Sequence, residues 1–531
     1  MSGDRAIPLV VLALAAAALF PLLGLRDHLS SAEARGPLVA REMIATGEFL
    51  PPRLLGERYL NKPPLFHALV AGSFLALGES DAAARVPSVL AALGAILVTF
   101  LLGRSVAGPR AGAAAALFLA GTSLFFYQAR SAEMETLLTL GVALSYLGVA
   151  DAAAAGRFRR RAFALIAAGA FVATLTKGPV LALLFPAFAL AGSAIAHRSR
   201  RGLGLGAAAI LLGTALATLA YYGPLAAESG LRELLRERLL MENVRHDRPF
   251  WYYLAKLPLL AAPSAVFLLG SRNAITTGWR RAGGWLVGFG LGVLVFSLSS
   301  SKQSHYLLPL FPLLAVWGGA VIDAQLERGG RRGLFVIALL SLATLSAGPL
   351  LLDLGTEILQ RSPALQVVGI LALFVTMAAT AVVWPRRRDQ GPPVPARSAL
   401  LVAAAALAAL LVFDAAAGLV ATRDRSPRRA AEMARRAHAA DAEVAHPIVV
   451  WDANLVLCYY LGDTPFTRED DAVRARGRLD ADANALLLAS GKRKDPWPPA
   501  FAGLETLDEV ESPDGDRRWV LFRTPRTEEN R

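Results

Sequence analysis

The sequence has few of the residues that form disulfides or hold metals. Cys458 is its single cysteine, and only seven histidines are scattered through 531 residues. One cysteine excludes an intrachain disulfide and a cysteine-based metal site. His246 and His305 stand alone, without the spacing that zinc ligands share, and the chain has no glycine-rich phosphate loop. We therefore expect no cofactor, and a divalent metal remains only as an alternative.

Charge is also scarce. Charged residues make up 18% of the chain and hydrophobic residues 55%, whereas an average soluble protein carries about 25% charge. These values exclude a disordered chain and a single soluble domain. The net charge of +13 comes from arginine clusters between apolar blocks, which indicates a positive-inside membrane protein and no nucleic-acid partner.

The apolar residues form blocks close to the length of a membrane span, which needs ~20 residues. Fourteen blocks are present, at 7–25, 64–78, 86–106, 111–128, 136–154, 161–176, 178–197, 204–225, 252–270, 283–300, 305–323, 333–353, 364–384 and 398–422. If block 64–78 crossed the membrane, the following arginine clusters would fall on the outer side. This short block follows a proline pair, so we expect an interfacial or re-entrant helix.

The predicted fold is therefore an all-α polytopic membrane protein of about 13 transmembrane helices, followed by a small α/β domain. The membrane domain spans residues 1–422, and its outer-face loops are 26–85, 129–136, 226–251 and 301–306. In the second domain, 423–531, segment 426–440 has the pattern of an amphipathic helix. Three runs are typical of strands, namely 447–451, 485–488 and 518–522. This domain either binds the acceptor or packs on the outer loops.

Cationic side chains recur at the predicted outer face. Lys62 directly precedes Pro63-Pro64, and the proline pair restricts the local backbone. A rigidly held ammonium suits a lipid phosphate, and a lysine that extends to the interface fits the same pattern. Segment 242–253 places arginines beside aromatic residues, which suits either an anionic headgroup or an ordinary interfacial anchor.

Carboxylates accompany these cations. Glu133 and Glu135 lie at the mouth of a predicted span, where a charge is costly unless it is paired or functional. We expect Arg130 or Arg85 to pair with one of them. A carboxylate of this kind could act as a base toward an acceptor hydroxyl.

A second group of cations lies further along the chain. Lys302 and His305 precede Tyr306 in an outer segment, and Lys177 precedes Gly178-Pro179 at a helix junction. Several cations and two or three carboxylates are therefore predicted on one face of one membrane domain.

These residues resemble the GT-C class of polyprenyl-phosphate-sugar glycosyltransferases, in particular the lipid A aminoarabinose transferases and the protein O-mannosyltransferases. The most specific match is the stretch Tyr59 to Leu65, which is similar to a Tyr-x-x-Lys-Pro-Pro-Leu motif. Further matches occur along the chain, at Glu33-Ala34-Arg35, Ala40-Arg41-Glu42-Met43, Ala84-Arg85-Val86-Pro87-Ser88, Lys177-Gly178-Pro179, Ser301-Lys302 and Tyr306-Leu307-Leu308-Pro309. The resemblance covers roughly residues 7–320 well.

The resemblance implies an inverting transfer of a sugar from a polyprenyl phosphate to an acceptor. It makes Glu33 the expected base, with Asp27 and Glu135 as alternatives. The expected substrate-binding residues are Lys62, Tyr59, Arg85, Arg245, Arg248, Lys302 and Tyr306. Ala32 stands where the family usually has Asp, and Asn61 where it often has Glu, so the resemblance is to a divergent branch of the family.

We expect the protein in the inner membrane of a bacterium, with a cytoplasmic N-terminus and a periplasmic C-terminal domain. Its partners would be the lipid bilayer, a polyprenyl-phosphate-linked sugar donor and a glycolipid, glycan or protein acceptor. The alternatives are a transporter or flippase of lipid-linked sugars and a non-catalytic lipid-binding relative. A transporter should carry polar or broken helices at the bilayer midplane, and the clustering of ionisable residues on one side favours the enzyme.

Overall fold

The computed structural model describes most of the chain outside the segment from 329 to 402. The described residues are 3–27, 30–155, 159–197, 203–230, 232, 247–261, 264, 272–328, 403, 404, 407, 408, 410, 411, 414, 427–439, 447–451, 455–462, 464–482, 484–493, 495–511 and 517–525. The predicted spans at 333–353 and 364–384 lie outside them, as does Arg245.

The chain forms two compact units. The first, which we call the helical unit, comprises Met1–Leu23 and Glu42–Ala415. The second, the sheet unit, comprises Gly24–Arg41 and Ala416–Arg531. A segment close to the N-terminus therefore folds with the C-terminal part of the chain.

The described part of the helical unit is almost entirely α-helical. Its helices are α1 (Gly3–Leu19), the end of α2 (Ser31–Thr46), α3 (Leu65–Leu77), α4 (Asp81–Ala107), α5 (Pro109–Ala120), α6 (Ser123–Ala129), α7 (Glu135–Ala155), α8 (Arg160–Lys177), α9 (Pro179–His197), α10 (Leu203–Ser229), α11 (Tyr252–Leu260), α12 (Arg272–Leu298) and α13 (Phe311–Arg328). A 3-10 helix, Ser304–Leu310, precedes α13, and a short antiparallel hairpin, β1 (Arg53–Leu54) and β2 (Glu57–Arg58), follows α2.

Several helices are long and apolar enough to cross a membrane. Among the described residues, five have that length and composition, at Asp81–Ala107, Glu135–Ala155, Leu203–Glu228, Arg272–Leu298 and Ser304–Glu327. Shorter apolar helices accompany them, and α3 has 13 residues, or ~20 Å at 1.5 Å per residue. That length is less than the ~30 Å hydrocarbon core, as expected for an interfacial or re-entrant helix. The count of thirteen spans stays a prediction.

Local sequence signals explain where these helices begin and end. The Ser80 hydroxyl accepts a hydrogen bond from the Ala83 amide at 3.1 Å and so caps α4. Gly178 has a φ of 102° and donates its amide to the Thr174 carbonyl, which ends α8. Pro179 then opens α9, because a proline loses nothing in the first turn.

Helices α7 and α8 pack closely because small residues face each other. A Cβ at Gly169 would overlap the Gly141 carbonyl and the Ser145 side chain, and small residues allow this approach between membrane helices. The two helices have 21 and 18 residues and a short connection makes them antiparallel. The first turn of α7 therefore meets the last turn of α8.

The sheet unit contains a five-stranded mixed sheet. Its strands are β3 (Ile448–Trp451), β4 (Phe466–Glu469), β5 (Leu486–Lys492), β6 (Glu505–Glu511) and β7 (Arg517–Arg523), in the order β4-β3-β5-β7-β6. Strand β3 is parallel to β4 and β5, and β7 is antiparallel to β5 and β6. The three strands expected from the sequence correspond to β3, β5 and β7.

Three helices of the C-terminal part accompany the sheet, namely α14 (Arg428–Ala439), α15 (Leu455–Leu461) and α16 (Ala472–Ala481). Helix α14 corresponds to the amphipathic helix predicted at 426–440. The Asp471 carboxylate caps α16 by accepting from the Arg474 amide at 2.9 Å. The apolar residues Val449, Leu487, Val520 and Leu479 are buried in the core of this unit.

Candidate functional site

A buried ion pair joins α7 and α8 at the end where they meet. The Lys177 ammonium donates to both carboxylate oxygens of Glu135, at 2.6 and 2.7 Å. The side chains of Glu135 and Lys177 are only 5% and 8% exposed. Each charge also suits its helix terminus, since an anion is favoured at an N-terminus and a cation at a C-terminus.

The 3-10 helix brings two further residues to this pair. His305 Nε2 lies 3.5 Å from Glu135 Oε1, and Lys177 Nζ lies 5.5 Å from the centre of the Tyr306 ring. The His305 and Tyr306 rings meet edge to face at 4.9 Å. We call Glu135, Lys177, His305 and Tyr306 the Lys177 cluster.

Lys62 lies close enough to Glu135 for its charge to act on the carboxylate. The segment before it is anchored, because Leu60 is fully buried against Tyr221 and Leu225 of α10. The Tyr59 ring is buried and meets the His67 ring edge on at 5.8 Å. Lys62 thus adds a third basic side chain near Glu135.

Two buried arginines hold the chain that follows α1. Arg85 Nη1 donates to the Leu23 carbonyl at 2.6 Å. Arg130 Nη1 donates to the carbonyls of Leu19 and Pro21, at 2.7 and 2.8 Å, and Arg130 Nε pairs with Asp414 at 2.7 Å. The ion-pair partner of Glu135 is Lys177, so the pairing of Arg130 or Arg85 with a carboxylate of segment 129–136 stays a prediction for Glu133 alone.

Lys302 and Arg248 lie in two adjoining segments. The Lys302 ammonium donates to the carbonyls of Arg248, at 2.9 Å, and Ser299, and its residue is only 3% exposed. The Arg248 guanidinium stands 5.8 Å from the Tyr252 ring centre. Lys302 therefore ties the two segments together, and Arg248 lies beside the aromatic residues that the sequence placed next to it.

The sheet unit holds the remaining candidate carboxylates. Glu33 lies in the first turn of α2, where its amide donates to the Ser30 hydroxyl at 3.0 Å. Its carboxylate pairs with the Arg26 guanidinium at 3.4 Å, and both side chains are buried. Asp27 pairs with Arg428 at 3.0 Å.

The sequence did not reveal these ion-pair partners. The sequence predicts Lys177 as a cation at a helix junction, but 42 residues separate it from Glu135 and no local pattern indicates that the two pair. Arg26 and Arg428 belong to none of the matched motifs. Within the described ranges, no three residues among His, Cys, Asp and Glu are grouped in a way that could hold a metal ion.

Comparison with known proteins gives consistent matches. Residues 61–223 match the family described as dolichyl-phosphate-mannose-protein mannosyltransferase. An undecaprenyl phosphate-alpha-4-amino-4-deoxy-L-arabinose arabinosyl transferase of Pseudomonas paraeruginosa is 30% identical over 426 residues, which cover 75% of this chain and 74% of the relative. The protein of the same name from Pseudomonas aeruginosa is 30% identical over 427 residues, with 75% and 74% covered.

The fold has solved counterparts. The crystal structure of ArnT from Cupriavidus metallidurans in the apo state superposes with a TM-score of 0.70 at 19% identity and covers 98% of both chains. The structure of the same protein bound to undecaprenyl phosphate gives a TM-score of 0.69 at 18% identity, with 97% of both chains covered. At this identity the likeness establishes the fold, which is that of a mostly helical GT-C membrane protein.

The predicted membership of the GT-C glycosyltransferases is confirmed, and it decides against the transporter. Relatives at 30% identity match along three quarters of their length. The five apolar helices of spanning length in the described part of the chain fit an integral membrane protein. The chain is thus a membrane glycosyltransferase and belongs to the family of the undecaprenyl phosphate-alpha-4-amino-4-deoxy-L-arabinose arabinosyl transferases.

Proposed function

We propose that this enzyme moves a sugar from undecaprenyl phosphate to a lipid A-type glycolipid at the outer face of the inner membrane. The observation that carries the proposal is the Lys177 cluster, with Lys62 beside it. Three basic side chains and a phenol converge there around one buried carboxylate. The names of the relatives supply the donor lipid and suggest aminoarabinose as the first sugar to test.

The basic residues would bind the phosphate of the donor. When the sugar leaves, negative charge develops on that phosphate, and preorganised cations stabilise it most in a site that excludes water. Lys62 and Arg248 are proposed as direct ligands, with Tyr306 as a phenolic donor. Glu135 would hold Lys177 and His305 in place, because its two oxygens are already engaged by the Lys177 ammonium.

Glu33 is the proposed base. An acceptor oxygen attacks the anomeric carbon from the face opposite the phosphate and loses its proton to the Glu33 carboxylate. The bond between the anomeric carbon and the phosphate oxygen breaks, the configuration inverts, and undecaprenyl phosphate leaves. Asp27, paired with Arg428, is the second candidate for this role.

Turnover of synthetic donors by the purified protein tests this function. Undecaprenyl phosphate carrying aminoarabinose is compared with donors carrying a neutral pentose or hexose, each with lipid A as acceptor. We expect release of undecaprenyl phosphate and modified lipid A with wild type, and loss of both with Lys62→Ala. Lys256→Ala in α11 is the matched control, since Lys256 is a half-buried lysine of the same unit.

The possible results separate the parts of the proposal. Release from a different sugar only would keep the donor lipid and reassign the sugar. Binding of donors without any release would contradict the transferase reaction and support a lipid-binding relative. Equal turnover by wild type and Lys62→Ala would contradict the assignment of Lys62 to the phosphate.

A further inference from the structure

The segment Gly24–Arg41 contacts the C-terminal part of the chain at both of its ends. Arg428 of α14 reaches the segment and pairs with the Asp27 carboxylate at 3.0 Å. In return Arg41, at the end of the segment, donates to the carbonyls of Tyr459 and Gly462, at 3.1 and 3.5 Å. Both contacts lie inside the sheet unit.

The two arginines stack on the rings of two consecutive tyrosines of α15. The Arg428 guanidinium stands 4.6 Å from the Tyr460 ring centre, and that of Arg41 stands 5.1 Å from the Tyr459 ring centre. Both distances are within the range of cation–π attraction. Because both rings are buried, each arginine is held against a fixed surface.

Along the chain, Glu33 lies between Asp27 and Arg41, the two residues of the segment that contact the C-terminal part. Asp27, which Arg428 holds, is the neighbour of Arg26 in the chain, and Arg26 pairs with the Glu33 carboxylate at 3.4 Å. The contacts therefore form a series from Arg428 through Asp27 and Arg26 to Glu33. A shift of Asp27 would move Arg26 and with it the partner of the proposed base.

We propose that Arg428 and Arg41 are positioning residues, through which the C-terminal part of the chain sets the place of the Glu33 carboxylate. This inference rests on the proposed role of Glu33. It gives the C-terminal part a function in the transfer step that is separate from binding the donor. It also makes Asp27 a member of the ion pair that holds the base in place, and not the base.

Substitution of Arg428 tests the inference. In Arg428→Gln we expect kcat to fall about 10- to 100-fold, since a misplacement of ~1 Å can cost about 100-fold. The KM for the donor should stay within about twofold, because the proposed phosphate ligands belong to the helical unit. Arg428→Lys keeps the positive charge and should recover a large part of kcat. Arg435→Gln, an exposed arginine of the same helix, is the control and should match wild type.

Hydrogen exchange gives a readout that needs no turnover. The amides of 31–41 should exchange faster in Arg428→Gln than in wild type, while those of β5 stay protected and report an intact sheet. The double variant Asp27→Arg with Arg428→Asp restores an ion pair of reversed sign and should recover kcat above that of either single variant.

Several results would overturn the inference. These are wild-type kcat in Arg428→Gln, a loss of kcat with unchanged exchange in 31–41, and a double variant no more active than the single variants. The last result would return Asp27 to the position of base. Absence of turnover in wild type with every donor would instead contradict the proposed function, and the exchange experiment would still decide whether Arg428 holds the segment.

Discussion

At the scale of single residues, the buried Glu135–Lys177 ion pair should tolerate the loss of either partner poorly. Removing one partner of a buried ion pair leaves an uncompensated charge and costs about 3–5 kcal/mol, whereas replacing both partners with apolar residues is often neutral. We therefore expect Lys177→Met to lower the thermal unfolding temperature strongly. Glu135→Leu with Lys177→Met should recover much of that loss but show no turnover.

Thermal unfolding in detergent and turnover of the donor, measured on the same preparations, check this prediction. If the double variant were as unstable as Lys177→Met, the pair would not account for the loss. If the double variant kept its activity, the Lys177 cluster would have no part in the reaction.

Cys458 offers a second prediction at this scale. Burial in α15 raises the pKa of its thiol to about 11, and the thiolate is the reactive form. The native protein should therefore react very slowly with iodoacetamide at pH 8 and rapidly once unfolded in sodium dodecyl sulfate. Mass spectrometry of the modified chain checks this, and equal rates in both conditions would contradict the buried placement.

The same shift predicts a direction for stability. The folded state keeps the thiol proton that the unfolded chain loses near its ordinary, lower pKa. The contribution of Cys458 to stability is therefore complete at neutral pH. It is lost as the pH rises from the ordinary thiol pKa of 9.0 toward about 11. Cys458→Ser should reduce this alkaline loss.

At the scale of elements, the contact between α7 and α8 determines where Lys177 lies. We expect Gly169→Leu to separate the helices, because a side chain at Gly169 meets the backbone of Gly141. Both stability and turnover should fall. Gly290→Ala, at an open position inside α12 where a Cβ meets nothing within 4 Å, should leave both unchanged, and a similar loss in the two variants would contradict the role of this contact.

The sequence predicted elements better than the contacts between them. Strands β3 and β5 follow from short apolar runs, and the end of α8 follows from Gly178-Pro179, since these signals are local. The pairing of Glu135 with Lys177 depends on the antiparallel packing of α7 against α8. No local sequence pattern predicts that contact. The folding of Gly24–Arg41 with the C-terminal part has the same cause, because its contacts join residues about 400 positions apart.

At the scale of the whole molecule, the arginine clusters predict which side of the membrane each terminus occupies. We expect alkaline phosphatase fused to the C-terminus to be active and a fluorescent protein at the same position to be dark, because each folds on one side only. A fusion at the N-terminus should give the reverse. A fluorescent C-terminal fusion would place the sheet unit in the cytoplasm and contradict the proposed reaction at the outer face.

The edge strand β6 has a consequence for how copies of this protein share a membrane. It carries four carboxylates, Glu505, Asp508, Glu509 and Glu511, and is the last strand of the sheet in the part of the chain that the structure describes. An edge strand without such charges is a template for pairing with a second chain. Glu505 pairs with Arg523 and Glu511 with Arg493. Charged side chains along an edge strand oppose its pairing with a second sheet, so we expect that copies of the protein do not extend their sheets into one another at this edge.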